Sequence, residues 1–248
     1  MLVRSDDYVA YCRETAKHAR DPHDLALRGG KTHEITRLTH ERIVEVTELG
    51  AEDDLLDIGC GDGTLLRMAK AMGVHSTTGL LATEEEVSVL RRFNLNVKQG
   101  LARELPIPDA SASVVVCNNV LLIVPREEIP ASLKEIHRVA RPGARIFLGE
   151  IPFIRPNDPT PQFKTHAELL SHLYRKNGAR TWLGMVRRMA WWKITGAAPV
   201  VNPGTAVHFW APPDELISLA QAAGLQLVRY WQYEHINSRN NYLFRKPD

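Results

Sequence analysis

A single α/β domain, with helices on both faces of a mostly parallel seven-stranded sheet, is predicted by three features of this 248-residue sequence. Short apolar runs alternate with amphipathic stretches from Asp53 to Ile151, the signature of successive strand–helix–strand units. Val114-Val115-Val116 is β-branched without polar alternation, as a strand buried on both faces requires. Leu55-Leu56-Asp57-Ile58 runs directly into Gly59-Cys60-Gly61-Asp62-Gly63, a strand delivered through a glycine-rich turn into a helix.

The elements follow in order. Residues 5–20 and 32–49 read as helices; in the second, Ile35, Leu38, Ile43, Val46 and Leu49 share one face and Thr32 stands at the cap position. Strand 55–58 leads to helix 63–72, strand 76–81 to helix 83–93, and strand 96–99 follows. Thr83 with Glu86 three residues on has the form of a capping box. Strand 113–118 leads to helix 128–140, which Pro142-Gly143 separates from strand 144–151. The alternation then stops. Pro152, Pro156, Pro159 and Pro161 introduce an apolar helical stretch at 167–194 and a loop at 199–213. Helix 214–223, closed by Gly224, and strands 226–233 and 241–244 complete the chain. The expected organisation is an N-terminal helical cover (1–48), a binding core (49–151), a helical insertion or lid (152–212) and a closing helix with a strand pair (213–248).

Composition narrows the function. Lys plus Arg number 31 and Asp plus Glu 29, a net charge of +2 without the basic footprint that nucleic acid demands. Cys12, Cys60 and Cys117 form no CxxC pair and no metal-ligand spacing, so neither a disulfide framework nor a metal is expected. Residues 1–20 are charged throughout, unlike a signal peptide. The uncharged apolar run 110–125 is too short to span a bilayer and carries Ser111, Ser113, Asn118 and Asn119. These features lead us to expect a cytoplasmic protein with no nucleic-acid or membrane partner; a homo-oligomer is left open.

The chemistry is in the glycine turn. Gly59 and Gly61 permit positive φ and let a ligand approach bare backbone, and free N–H groups at a helix start attract carboxylates or phosphates. In open α/β sheets ligands lie beyond the carboxyl ends of the strands, where this turn falls. Asp57, two residues before the first glycine, is a carboxylate placed to be buried, which calls for a cationic partner. An α-amino group answers that need; a dinucleotide pyrophosphate is repelled by it. A nicotinamide dehydrogenase also wants an acid or an Arg about 20 residues further on, where Leu80-Leu81-Ala82 stands. Gly30-Lys31-Thr32 is not a P-loop, because the required first glycine is Leu25.

The segment from Asp57 to Gly63 resembles the first motif of the class I S-adenosylmethionine (SAM)-dependent methyltransferases, in their small-molecule branch. Glu104-Leu105-Pro106-Ile107-Pro108-Asp109-Ala110-Ser111 is similar to that family's segment before strand four. Glu135-Ile136-His137-Arg138-Val139-Ala140-Arg141-Pro142-Gly143 is similar to its entry into strand five. The resemblance spans about residues 45–151. It implies a Rossmann-like sheet whose last strand is antiparallel, with SAM as cofactor and no metal. It implies that Asp57 meets the SAM amino group and that Gly59, Cys60, Gly61, Gly63, Leu81, Leu101, Ala102 and Asn118 face the cofactor. The sequence departs from the family at Leu81 and Leu101, where acids for the ribose and adenine are usual, and at Ala112-Ser113, where Phe-Asp is usual. Thr83-Glu84-Glu85-Glu86 offers a substitute carboxylate, against its reading as a helix cap.

A hydroxyl or ammonium acceptor needs a proton acceptor near the reacting atom. Glu150 and His208 lead by position, with Asn119, His166 and His172 near the same edge. Trp182, Trp191, Trp192, Trp210 and Trp231 all fall in the last third and offer stacking faces. The expected function is O- or N-methylation of a small molecule. The alternative is a methyltransferase-fold module that binds without catalysis, motivated by the two missing acids.

Overall fold

The computed structural model describes residues 5–19, 21–26, 33–152, 209–232 and 239–248, with scattered helical residues between 171 and 194. Helices α1 (Ser5–Lys17), α2 (His23–Ala26) and α3 (His33–Thr47) precede the sheet. Then come β1 (Asp54–Ile58), α4 (Thr64–Ala71), β2 (Ser76–Leu81), α5 (Glu84–Arg91) and β3 (Val97–Gln99). The second half holds β4 (Ala112–Asn118), α6 (Ile129–Val139), β5 (Ala140–Pro152), α7 (Pro213–Ala222), β6 (Gln226–Gln232) and β7 (Arg239–Arg245). The seven strands form one sheet in the order β3-β2-β1-β4-β5-β7-β6. Only β7 runs against the others, between β5 and β6.

Alternation along the strands separates two apolar layers. Leu55, Leu81, Val114, Val116 and Phe147 face α1 to α5, with Ala16, Leu25, Ile43, Leu65 and Leu90 packed on them. Leu56, Leu80, Val115, Cys117 and Leu148 face the other way, toward Leu133 and Ile136 of α6 and Leu216 of α7. A sheet apolar on both faces needs helices on both, which explains the unalternating Val114-Val115-Val116.

Two local expectations are corrected. Along α3, Leu38 is 51% exposed, and the buried stripe is Thr36, Thr39, Ile43 and Thr47. The helix turns its threonine side inward: Thr47 Oγ1 donates to the Ile43 carbonyl at 2.7 Å, while the Thr36 hydroxyl is buried with no hydrogen-bond partner among the described residues. Ile35's side chain and Thr32 lie outside the described residues. Secondly, Pro142-Gly143 does not separate α6 from its strand, since β5 begins at Ala140. The strand accommodates them by a register shift between Ala112 and Val114 on β4, with Gly143 at φ +73°. Gly143 N–H donates to Lys246 O at 2.9 Å, and Lys246 N–H to Ala144 O at 3.0 Å, so the tail beyond β7 carries the pairing across the irregularity. Lys246 Nζ also donates to His137 O and Ala140 O, satisfying carbonyls at the end of α6. The insertion expected at 152–212 falls largely outside the described residues, as do His166, His172, Trp191, Trp192 and His208. No helix among the described residues is long and apolar enough to cross a membrane.

The capping box is formed. Thr83 Oγ1 accepts from Glu86 N–H at 3.3 Å, and Glu86 Oε2 accepts from Thr83 N–H at 3.1 Å. Both side chains are buried, so replacing Thr83 by Ala is expected to lower stability by about 1–2 kcal/mol, read as a shift of the urea midpoint at constant slope.

Candidate functional site at the carboxyl edge

Asp57 pairs in register with Gly79 of β2 and Val116 of β4 and is only 4% exposed. Among the described residues it accepts no hydrogen bond and meets no cation. Burial, and then the nearby charge of Asp62, push its carboxyl up to about 7. Asp62 is itself buried, but its Oδ1 accepts from Thr64 N–H at 2.9 Å. Its Oδ2 lies 3.8 Å from Nδ1 of His23 on α2, which brings the N-terminal helices over the turn.

The glycines of the turn serve different ends. All three have positive φ, +73° at Gly59, +55° at Gly61 and +72° at Gly63. A Cβ on Gly59 would stand 2.3 Å from Val120 Cγ2, and one on Gly63 would stand 2.5 Å from Leu95 Cδ1, so these two are required by packing. A Cβ on Gly61 would meet nothing within 4 Å. Gly61 is where the turn faces open space. The turn's amides divide in the same way. Gly59 and Cys60 both donate to Leu80 O, at 2.9 and 3.1 Å, and Gly63 donates to Cys60 O at 2.8 Å. Among the described residues, the N–H groups of Gly61 and Asp62 are the ones of this turn without a protein acceptor. The Cys60 thiol lies against Gly79 and Leu66, and burial pushes its pKa well up, so it packs as an apolar group.

Leu81 ends β2 at 5% exposure, in the same apolar layer as Ala16 and Leu25. The acids beside it are engaged within the fold: Glu84 with Arg91 at 2.7 Å, Glu85 with Arg13 of α1 at 3.2 Å, and Glu86 in the cap. The helix-cap reading of this cluster holds. Gly100 N–H donates to Leu81 O at 2.9 Å, which places Leu101 and the buried Ala102 beside the end of β2. The loop from 104 to 111 is held by α6. Glu135 accepts from Leu105 N–H at 2.8 Å, and Arg138 donates to the carbonyls of Leu105 and Ile107 at 2.9 Å each.

Toward β5, Asn118 ends β4 opposite Gly149, and its Oδ1 is buried without a donor. A Cβ on Gly149 would stand 2.3 Å from that oxygen, so only glycine lets the amide lie across β5. Glu150 is buried and held at φ +57°, a left-handed conformation uncommon outside glycine. Its N–H donates to Asn241 Oδ1 at 3.1 Å, and its carbonyl accepts from Arg239 Nη1 at 2.8 Å. The structure thus gathers Asp57, Gly61, Leu81 and Asn118 on the helix-covered face of one edge, with Glu150 at the end of β5. Sequence reading missed His23, Arg239 and Asn241. The signal for the last was two adjacent asparagines within a strand otherwise suited to burial. No group of residues suited to holding a metal ion occurs among the described residues.

Residues 56–148 match the family model described as a methyltransferase domain. The chain is 38% identical over 125 residues to 27-O-demethylrifamycin SV methyltransferase of Amycolatopsis mediterranei, a match covering 46% of this chain and 44% of that protein. The chain spans about half the length of the curated relatives it matches. Among solved structures, the putative methyltransferase in complex with the Trm112 methyltransferase activator of Haloferax volcanii aligns with TM-score 0.62 at 14% identity, covering 98% of both chains. The [4+2]-cyclase SpnF aligns with TM-score 0.58 at 16% identity, over 86% of this chain and 82% of that one. At such identities the structural likeness establishes the fold.

A carboxyl whose pKa is raised on folding destabilises the native state at high pH. The penalty grows from about pH 4 to about pH 7, is full above that, and is relieved as pH falls through the same window. Asp57→Asn is accordingly expected to stabilise the ligand-free protein by roughly 2–4 kcal/mol at pH 8 and to change little at pH 4, measured by thermal unfolding across pH.

Proposed function

We propose that this chain, whose core is a class I SAM-dependent methyltransferase domain, transfers a methyl group from SAM to a small molecule. The observation that carries this reading is Asp57: a buried carboxylate with no donor among the described residues, beside a turn whose glycines face open space only at Gly61. A dry carboxylate calls for a cation, and the α-ammonium of SAM is one. The residues present fit the cofactor in charge and in space. Asp57 would hold its amino group, Gly61 and the free amides of Gly61 and Asp62 its carboxylate end. Gly59, Cys60 and Gly63 shape the turn from behind. Leu81, Leu101 and Ala102 would give the nucleoside an apolar wall, with ribose contacts left to backbone groups and water. Bound SAM supplies an electrophilic methyl group, and no metal is needed.

The chain's own part is to align an acceptor and exclude water. Asn118 lies on the face that carries Asp57, one strand away from it, and is suited to orient the acceptor. Glu150, at the end of the neighbouring strand, is the proton acceptor we propose for a protonated nucleophile. Oxygen is the atom we favour, since the relative from Amycolatopsis mediterranei is named for an O-demethylated substrate. A second reading, binding without methyl transfer, is favoured by Leu81, which fills with an apolar side chain the position where an acid would hold the ribose.

Titration calorimetry with SAM and S-adenosylhomocysteine tests the proposal. Affinity is expected to rise with pH through about 7, as Asp57 ionises, and to fall below it. Asp57→Ala is expected to weaken binding at least 100-fold at pH 8. Gly61→Val, which puts a branched side chain into the open space, is expected to do the same while the far-ultraviolet spectrum is retained. Binding that ignores pH and both substitutions would overturn the site. Tight binding with no methylated product from any acceptor would establish the second reading.

A further inference from the structure

We propose that Arg239 and Asn241 form a carboxylate-binding subsite at the carboxyl edge of β5, so that the acceptor molecule carries a carboxylate. The inference rests on the reading above for where an acceptor lies; the subsite itself is built from the chain's own residues. β7 runs antiparallel, so its first residues reach the edge where the parallel strands end, with Arg239 opposite Pro152 and Asn240 opposite Ile151. Residues 239, 241 and 243 share a face, and Leu243 stands opposite Phe147, which belongs to the layer below Asp57 and Asn118. Three strand spacings separate β1 from β7, roughly 14 Å, the scale of a cofactor with an acceptor beside it.

Both side chains grip one residue and leave donors over. Arg239 is half-buried, and among the described residues its one hydrogen bond runs from Nη1 to the Glu150 carbonyl at 2.8 Å. A guanidinium has five N–H donors, and the rest of these meet no acceptor among the described residues. Burial lowers the Arg239 pKa, and the field of the Glu150 carboxylate works against that shift. Asn241 is fully buried. Its Oδ1 is fixed as an acceptor by Glu150 N–H at 3.1 Å, which fixes Nδ2 as a donor, and that donor is buried without an acceptor. Glu150 itself is held in a left-handed conformation between them. Strain of this kind persists only where the surroundings impose it, and here it aims two side chains. What these groups require is a planar anion with two acceptor oxygens: a guanidinium fork and a neighbouring amide N–H match a carboxylate. An ammonium would be repelled by Arg239, and a neutral hydroxyl would leave its charge unanswered.

The test uses the full chain, with and without saturating S-adenosylhomocysteine, titrated calorimetrically with benzoate and decanoate, with benzamide and decanamide, and with inorganic phosphate. At least one carboxylate is expected to bind ten-fold or more tightly than its amide, and more tightly than phosphate. Arg239→Gln is expected to weaken it ten-fold or more, with the affinity for S-adenosylhomocysteine changed less than two-fold. Asn241→Asp keeps an oxygen for the Glu150 N–H while replacing the free donor with an anion. It is expected to lose the carboxylate to the same degree, and it decides the question if Arg239→Gln fails to fold. Equal binding of acid and amide, a preference for phosphate, or carboxylate affinity that survives Asn241→Asp would overturn the subsite. Failure of the wild-type chain to bind S-adenosylhomocysteine strikes the methyltransferase reading instead, and the titrations made without it still judge the subsite.

Discussion

One carboxylate held dry at the end of a central strand sets the terms for the edge around it. Asp57 lies between β2 and β4, with a sheet neighbour on each side and helices over its face, so water cannot answer its charge. Burial and the neighbouring Asp62 push its carboxyl up to about 7, so that without a ligand it is only partly ionised at neutral pH. Among the described residues no donor reaches it: the Gly59 and Cys60 amides are turned back to Leu80, and Asp62 adds a second negative charge. Such an arrangement opposes stability and is retained where a ligand supplies the missing charge.

What keeps the edge in place lies away from it. Arg138 and Glu135, on the last turns of α6, bind the backbone of the loop that leads into β4. The two later segments of family resemblance are therefore one hydrogen-bonded unit, and their function is to fix the ends of β3 and β4 relative to each other. Lys246 performs a comparable service where α6 meets β5. Charge-assisted bonds to backbone carbonyls are well suited to this, because they hold loops that have no ladder of their own.

Along the edge the charge changes sign. Asp57 and Asp62 make the β1 end negative, and Arg239 makes the β7 end positive, with the carboxamide of Asn118 between them. A cationic cofactor and an anionic acceptor would each find the complementary end, and their mutual attraction across the middle would favour approach of the reacting atoms. Burial lowers the Arg239 pKa, and the Glu150 carboxylate at the junction opposes that shift.

The fold was legible in the sequence because it is written in local patterns. Unalternating Val114-Val115-Val116 requires a two-faced sheet, glycines follow the first strand, and Thr83 with Glu86 declares its helix start. Asp57 was legible for a related reason, since a charge inside an apolar strand has few explanations. The helical face of α3 was misread because hydrophobicity ranks leucine above threonine, whereas the face a helix buries is set by how it docks on the sheet and its neighbouring helices. That Gly61 alone of the turn's glycines faces open space depends on Val120 and Leu95, which are distant in sequence. The pairing of Arg239 and Asn241 on Glu150 depends on an antiparallel strand returning to an edge reached some ninety residues earlier. Sequence determines which residues are obliged to be buried; only the tertiary structure decides which of their polar atoms are left without a partner, because partners are chosen by strand order and register, not by neighbourhood along the chain.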